Sequence, residues 1–180
     1  MKIAILTYWS SSDNYGQLLQ CYALQKYLRD KGHEAYLVRY QPINSNIRNH
    51  PTLWNKLKKV KLRNLLPWVH KRLKTEAAYE DKLRKLNKEL NVQRKFDEFR
   101  NSYLYVSKDI YHSIDELRAN PPQADIYICG SDQVWHDSLL QPNVAGWYLQ
   151  FGDSNIKRIS YAASIGRKYK KWEYDKLKLY

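Results

Sequence analysis

The chain has 180 residues, 43% of them hydrophobic, and 31 lysines and arginines against 18 acidic residues give a formal net charge of +13. This size allows one compact domain and excludes two full-sized ones, and the apolar content excludes a disordered chain. Cys21 and Cys129 lie outside any CxxC or Cys/His spacing, and no carboxylate or histidine cluster has ligand spacing, which argues against disulfides and metal sites. Because no apolar run is long enough for a signal peptide or a membrane-spanning helix, we expect a cytoplasmic protein.

The first forty residues have the pattern of a strand, a helix and a second strand. Residues 3–6, IAIL, form a short apolar run of the kind found in buried parallel strands. A helix is predicted from Tyr15 to Lys31, with Gly32 placed to end it. Its apolar residues recur at spacings of three and four: Leu18, Cys21, Leu24 and Leu28. Residues 33–40, HEAYLVRY, then predict a second strand, which completes a βαβ unit.

The middle of the chain, about residues 51–103, is predicted to be a helical insertion that is interrupted at Pro67. A first helix has an apolar stripe from Leu53 to Val60, and a long second helix runs from Leu83 to Phe99. The first helix carries a cluster of basic residues: Lys56, Lys58, Lys59, Lys61 and Arg63. Such a helix suits either an anionic membrane surface or a solvated face on a helix packed against the sheet, and both readings stay open. We expect no nucleic-acid binding, because the cluster lacks an aromatic stacking platform.

The strand pattern returns in the last third of the chain. Residues 125–129, DIYIC, predict a strand that ends at Gly130, and residues 158–163, RISYAA, predict another. The whole pattern favours an α/β fold, with a Rossmann-like parallel sheet flanked by helices.

Polar residues follow two of these strands. The stretch SSDNYG, residues 11–16, lies between the first strand and its helix, and Gly130-Ser131-Asp132-Gln133 follows a later strand. Ligands of open α/β sheets bind beyond the carboxyl ends of strands, where Gly16 and Gly130 would let a ligand approach the backbone. Two such strand ends predict one shared cleft. Alternatively, Asp13 or Asn14 does no more than cap the helix.

The second strand end also suits a sugar. Trp135 offers a flat apolar face, and Asp132 and Gln133 offer hydrogen-bonding groups beside it. The alternative is a core tryptophan next to a capping aspartate. His136 is a candidate proton shuttle, or else a surface histidine without a role.

Three segments together resemble the polysaccharide pyruvyl transferase family. They are SDNYGQLLQCYALQKYLRDKGHEAYLVRY, CGSDQVWH and RISYAASIG, in the family's order and spanning residues 1 to about 166. The resemblance implies a transferase that moves pyruvate from phosphoenolpyruvate onto a sugar of a bacterial surface polysaccharide as a ketal. It implies no cofactor beyond this donor substrate, and a two-lobed fold like that of GT-B glycosyltransferases.

The resemblance also implies roles for residues of this chain. It places the sugar, or a lipid-linked oligosaccharide, near the first lobe, where we expect Asp132 to act as the base. The expected acceptor-binding residues are Asp13, Asn14, Gln17, Gln133 and Trp135. Lipid-linked acceptors would place the protein at the inner face of the membrane.

The expected domain organisation is a single lobe over residues 1–166, followed by the start of a truncated continuation over 167–180. A second lobe, with the residues that would hold phosphoenolpyruvate, is missing from this pattern, so we expect catalysis to need a second-lobe polypeptide. The surface that would face this lobe is then exposed, and a homo-oligomer is another way to cover it. The other readings are a non-catalytic sugar-binding module or truncated remnant, and a lobe of a GT-B-type glycosyltransferase.

Overall fold

The computed structural model describes residues 1–12, 14–42, 85–86, 89, 94–136, 143–168, 171 and 173. The chain divides into two compact units, one made of Met1–Asn44 with Phe96–Tyr180 and the other of Ser45–Lys95. Within the second unit, the described residues 85, 86, 89 and 94 are helical. Most of the predicted helical insertion, including all five basic residues from Lys56 to Arg63, lies outside the described residues.

The first unit is built on five parallel strands. They are β1 (Lys2–Leu6), β2 (Glu34–Tyr40), β3 (Val106–Tyr111), β4 (Ile126–Cys129) and β5 (Lys157–Ser160). Their order across the sheet is β3-β2-β1-β4-β5, and every pair is parallel. From β1 the chain builds outward to β2 and β3, then returns to add β4 on the other side. The sheet therefore has its topological switch point between β1 and β4.

Helices cover both faces of this sheet. They are α1 (Tyr15–Asp30), α2 (Phe96–Tyr103), α3 (Ile114–Ala119) and α4 (Val144–Trp147). Because side chains alternate along a strand, Ile3 and Ile5 lie on one face, in a core with residues of α1 and α2. Ala4 and Leu6 lie on the other face, in a core with residues of α3 and α4. The predicted α/β class, a parallel sheet flanked by helices, is confirmed.

Helix α1 has the predicted limits. Its N-cap is Asn14, and its buried side chains include Leu18, Cys21 and Leu24. After its last turn Gly32 adopts a φ of 83° and donates its N–H to the Arg29 carbonyl at 2.9 Å. His33 N–H donates to the Leu28 carbonyl at 3.1 Å. This pair of bonds is a Schellman motif, which glycine favours because it has no Cβ to oppose a left-handed backbone.

Several elements differ from the prediction. The long helix expected from Leu83 to Phe99 is interrupted, because Lys95 has a φ of 56° and α2 begins after it. The last predicted strand is shorter: Tyr161 N–H still bonds to the Cys129 carbonyl at 2.9 Å, but Ala162 turns the chain with a φ of 49°. β3, α3 and α4 were not predicted. Among the described residues no helix is long and apolar enough to cross a membrane.

Candidate functional site

Two loops leave the sheet side by side at its switch point. The β1 loop comprises residues 7–12 and Asn14, and the β4 loop comprises residues 130–136. Leu6 pairs with Cys129 in register, and Gly130 N–H donates to the Leu6 carbonyl at 2.9 Å. The structure thus brings together the two polar strand ends found in the sequence, at the edge where open α/β sheets bind ligands.

A polar cross-link that the sequence analysis missed connects these loops to α1. The Thr7 hydroxyl donates to the Ser131 carbonyl at 2.6 Å and accepts from the Gln20 amide at 2.9 Å. Ser131 Oγ donates back to Gln20 Oε1 at 2.6 Å. Thr7 is only 1% exposed. The side chains of Thr7, Gln20 and Ser131 therefore fix the distance between the two loops. The sequence carried one signal for this cross-link, a threonine directly after a buried strand.

Asp132 has the least satisfied side chain of the β4 loop. Its Oδ1 accepts from the Gln133 N–H at 2.6 Å, whereas its Oδ2 is buried without a hydrogen-bond partner among the described residues. Its backbone has a φ of 100°, in a region that side-chain-bearing residues rarely adopt. Strained backbone and an unpaired buried acceptor on one residue are typical of ligand-binding positions.

A third loop supports the β4 loop. The β5 loop, residues 161–166, donates Ser164 N–H to the Asp132 carbonyl at 2.9 Å and accepts Trp135 N–H at the Ser164 carbonyl at 3.2 Å. Gly130 has a φ of 107°, and a Cβ there would lie 2.3 Å from the Tyr161 carbonyl oxygen. The backbone that approaches Gly130 so closely is therefore the protein's own.

The residues expected at the start of α1 occupy the helix N-terminus. Asn14 is exposed and caps α1, its Oδ1 accepting from the Gln17 N–H at 3.2 Å. Gly16 is exposed, and a Cβ at this position would lie 3.1 Å from Asn14 Oδ1. Asp13 lies outside the described residues. Asn14 therefore has the capping role that the sequence analysis held as its alternative.

Trp135 is held on the β4 loop by two contacts. Its Nε1 donates to the Trp147 carbonyl at 3.1 Å, and its ring stacks on Tyr148 with centroids 5.4 Å apart and an interplanar angle of 1°. The side chain is half-buried. The indole is thus fixed in orientation by α4 and the residue after it.

Gln133 and His136 differ in exposure. Gln133 is exposed, and its side chain lies against Gly166, where a Cβ would come within 2.5 Å of Oε1. His136 is half-buried, and its carbonyl accepts from Arg167 Nε at 3.2 Å. Gln133 is therefore the more accessible of the two to a ligand at this edge.

The family model described as polysaccharide pyruvyl transferase matches residues 14–180. The chain belongs to this family. The matched region includes α1, the β4 loop and the β5 loop. Gln20, Ser131 and Asp132 therefore lie within it, whereas Thr7 lies before it. Among curated proteins and among solved structures, nothing matches the chain.

The Cys21 thiol lies beside the β1 loop and is unsuited to act as a nucleophile. Burial, and to a smaller extent the nearby Asp132, raise the pKa of Cys21 to about 12. The Cys21 thiol donates to the Tyr8 carbonyl at 3.0 Å. Because the thiolate is the reactive form, Cys21 serves the structure of the β1 loop and not the chemistry.

A cavity of about 780 Å³ opens at the opposite edge of the sheet, before β4 and β5. Two arginines line it, but backbone carbonyls already engage both. Arg158 donates to the Leu149 and Phe151 carbonyls at 2.8 and 2.7 Å, and Arg118 donates to the Gln150 carbonyl at 3.2 Å. These guanidinium groups serve the loop before β5, so the switch-point edge is the better candidate site.

Proposed function

We propose that the β1 and β4 loops bind the sugar acceptor of a pyruvyl transfer reaction, with phosphoenolpyruvate as donor. The observation that carries this proposal is Asp132, whose Oδ2 is buried and unpaired among the described residues at the end of β4. An unpaired buried acceptor costs roughly 1 to 3 kcal/mol, and a rotation of the carboxylate that brings Oδ2 to a ligand hydroxyl would offset this cost. Family membership supplies the class of ligand.

The chemistry requires one base and one acid. Asp132 removes the proton of a sugar hydroxyl as its oxygen attacks C2 of the enol phosphate, and an acid protonates the methylene carbon to form a methyl group. A second sugar hydroxyl then attacks the same carbon and displaces inorganic phosphate, which leaves with the second proton. The products are a pyruvate ketal and phosphate.

Neighbouring side chains have supporting roles in this proposal. Gln133 is exposed at the loop tip and donates to sugar oxygens, while the fixed ring of Trp135 offers an apolar face. In this proposal Asn14 and Gln17, at the start of α1, contact the acceptor from the β1 side, and His136 is the proton shuttle. Phosphoenolpyruvate approaches from a second, GT-B-like lobe, which makes the described sheet the acceptor lobe.

The deciding experiment measures phosphate release from phosphoenolpyruvate, with methyl glycosides of galactose, glucose and mannose as acceptors. Proton NMR of the ketal methyl group identifies the product. We expect Asp132→Asn to lower kcat by at least about 100-fold, because a positioned base contributes that much. The matched control is Asp153→Asn, on the other edge of the sheet, which should change kcat by less than about twofold.

The outcomes separate the alternatives. Undiminished ketal formation by Asp132→Asn would remove Asp132 as the base. Consumption of a nucleotide sugar without phosphate release from phosphoenolpyruvate would indicate a glycosyltransferase. Binding of a glycoside with neither reaction would indicate a non-catalytic sugar-binding module.

A further inference from the structure

The Arg100 side chain of α2 contacts the β1 loop. The Arg100 guanidinium donates through Nη1 to the Ser11 carbonyl and through Nη2 to Asp97, three residues earlier on the same helix. The Arg100 side chain is only 13% exposed, so water competes little for these bonds. A planar guanidinium can donate in two directions at once. Here the bond to Asp97 fixes the guanidinium on α2, and the bond to the Ser11 carbonyl holds the β1 loop.

Ser11 also bonds to the start of α1, so it links Arg100 to that helix. Its Oγ accepts from the Asn14 N–H at 3.0 Å, and Asn14 Oδ1 in turn accepts from the Gln17 N–H at 3.2 Å. A second contact joins the same two helices, since the rings of Tyr15 and Phe96 stack with centroids 4.6 Å apart. The chain of contacts from Arg100 therefore ends at two of the expected acceptor-binding residues.

We propose that Arg100 is a positioning residue of the acceptor site: by holding the Ser11 backbone it fixes the β1 loop in the shape that the acceptor meets. This inference rests on the proposed function for the identity of the ligand. The restraint itself can be measured without any ligand.

The first test measures backbone order by ¹⁵N relaxation in the full chain. In Arg100→Ala, the order parameters of the Ser11, Ser12 and Asn14 amides should fall from about 0.85 to below about 0.6. Arg118→Ala is a matched control, because Arg118 also joins a loop carbonyl, that of Gln150, to an aspartate three residues earlier. It should leave the β1 loop unchanged. Unchanged order in Arg100→Ala would overturn the proposal.

The second test uses the phosphate-release assay with the methyl glycosides. Loss of one charge-assisted hydrogen bond predicts a KM for the glycoside about tenfold higher, with kcat within about twofold, in Arg100→Ala. Arg100→Lys should recover part of the KM, since an ammonium can keep one of the two bonds. An equal loss of kcat in Arg100→Ala and Asp132→Asn would contradict a positioning role. If no phosphate is released even when a second-lobe polypeptide is supplied, the proposed function fails, and the order parameters still decide whether Arg100 positions the loop.

Discussion

At the scale of single residues, two positions of the β4 loop are energetically unfavourable for the fold. Asp132 combines a left-handed backbone with a buried, unpaired Oδ2, and each feature costs on the order of 1 to 3 kcal/mol. Gly130 has a φ of 107° close to the Tyr161 carbonyl. Residue 132 therefore has a carboxylate despite this energetic cost, whereas residue 130 has no side chain at all.

Gly130→Ala should therefore be strongly destabilising. A Cβ at Gly130 would lie 2.3 Å from a backbone oxygen, which cannot rotate away as a side chain could. We expect the free energy of unfolding to fall by about 2 to 4 kcal/mol, measured by urea denaturation.

Gly32→Ala is the matched control for this substitution. Gly32 also has a left-handed backbone, with a φ of 83°, but a Cβ there would meet nothing within 4 Å. Gly32→Ala should lower the free energy of unfolding by only about 1 kcal/mol, because the left-handed backbone is its one unfavourable feature. An equal decrease in the free energy of unfolding for Gly130→Ala and Gly32→Ala would show that the close contact with Tyr161 does not affect stability.

At the scale of elements, the sequence predicts those with strong local patterns. β1, α1, β2 and β4 were predicted because each has a continuous apolar run or a clear helical period. β3 was missed because VSKDIY buries only Ser107 and Tyr111, and α3 because six residues are too few to show a period. For the candidate site, the sequence indicated both polar loops, but not the bonds from Ser131 to Gln20 and from Arg100 to Ser11, because these join elements distant in sequence.

The caps of α1 and α3 offer a prediction at this scale. Asn14 Oδ1 and Ser113 Oγ each accept an N–H from the first turn of their helix, at 3.2 and 3.1 Å. Asn14→Ala and Ser113→Ala should each lower the free energy of unfolding by about 1 kcal/mol. Only Asn14→Ala should also weaken binding of the methyl glycosides, which NMR titration would detect. Equal effects of the two variants on binding would reduce Asn14 to its capping role.

At the scale of the whole molecule, both cysteines are buried in the cores that cover the two faces of the sheet. Cys21 belongs to the core with α1, and Cys129 to the core with α4. Burial raises the pKa of each thiol from about 9 to about 12. The fold therefore favours the neutral thiol on both faces.

This pKa shift predicts alkaline sensitivity. Below pH 9 the stabilisation is fully present, but between pH 9 and 12 the unfolded thiols lose protons that the folded ones keep, so stability falls as pH rises. From pH 8.5 to 10.5 the two thiols together should remove about 4 kcal/mol from the free energy of unfolding. The double variant Cys21→Ala with Cys129→Ala should lose less over this range, and an identical pH dependence would contradict the assignment.

The net charge of +13 supports a proposal about location. The basic residues Lys56, Lys58, Lys59, Lys61 and Arg63 have no acidic neighbour between Glu34 and Glu76. We expect the protein to float with vesicles containing about 30% anionic lipid at low salt and to be released at higher salt, each lysine or arginine contributing about 1 kcal/mol. Replacing the five residues with glutamine should abolish flotation, and flotation of the replaced protein would refute the proposal.

The wide separation of the two loops in the chain has a consequence for synthesis. Thr7 and Ser131, which meet through one hydrogen bond, are 124 residues apart. At ribosomal rates of about 5 to 20 residues per second, roughly 6 to 25 s pass between their incorporation. In that interval nascent β1 can pair with β2, but its other edge is open, as aggregation-prone edges are. Any translational pause before β4 therefore lengthens the time for which this edge of β1 stays unpaired.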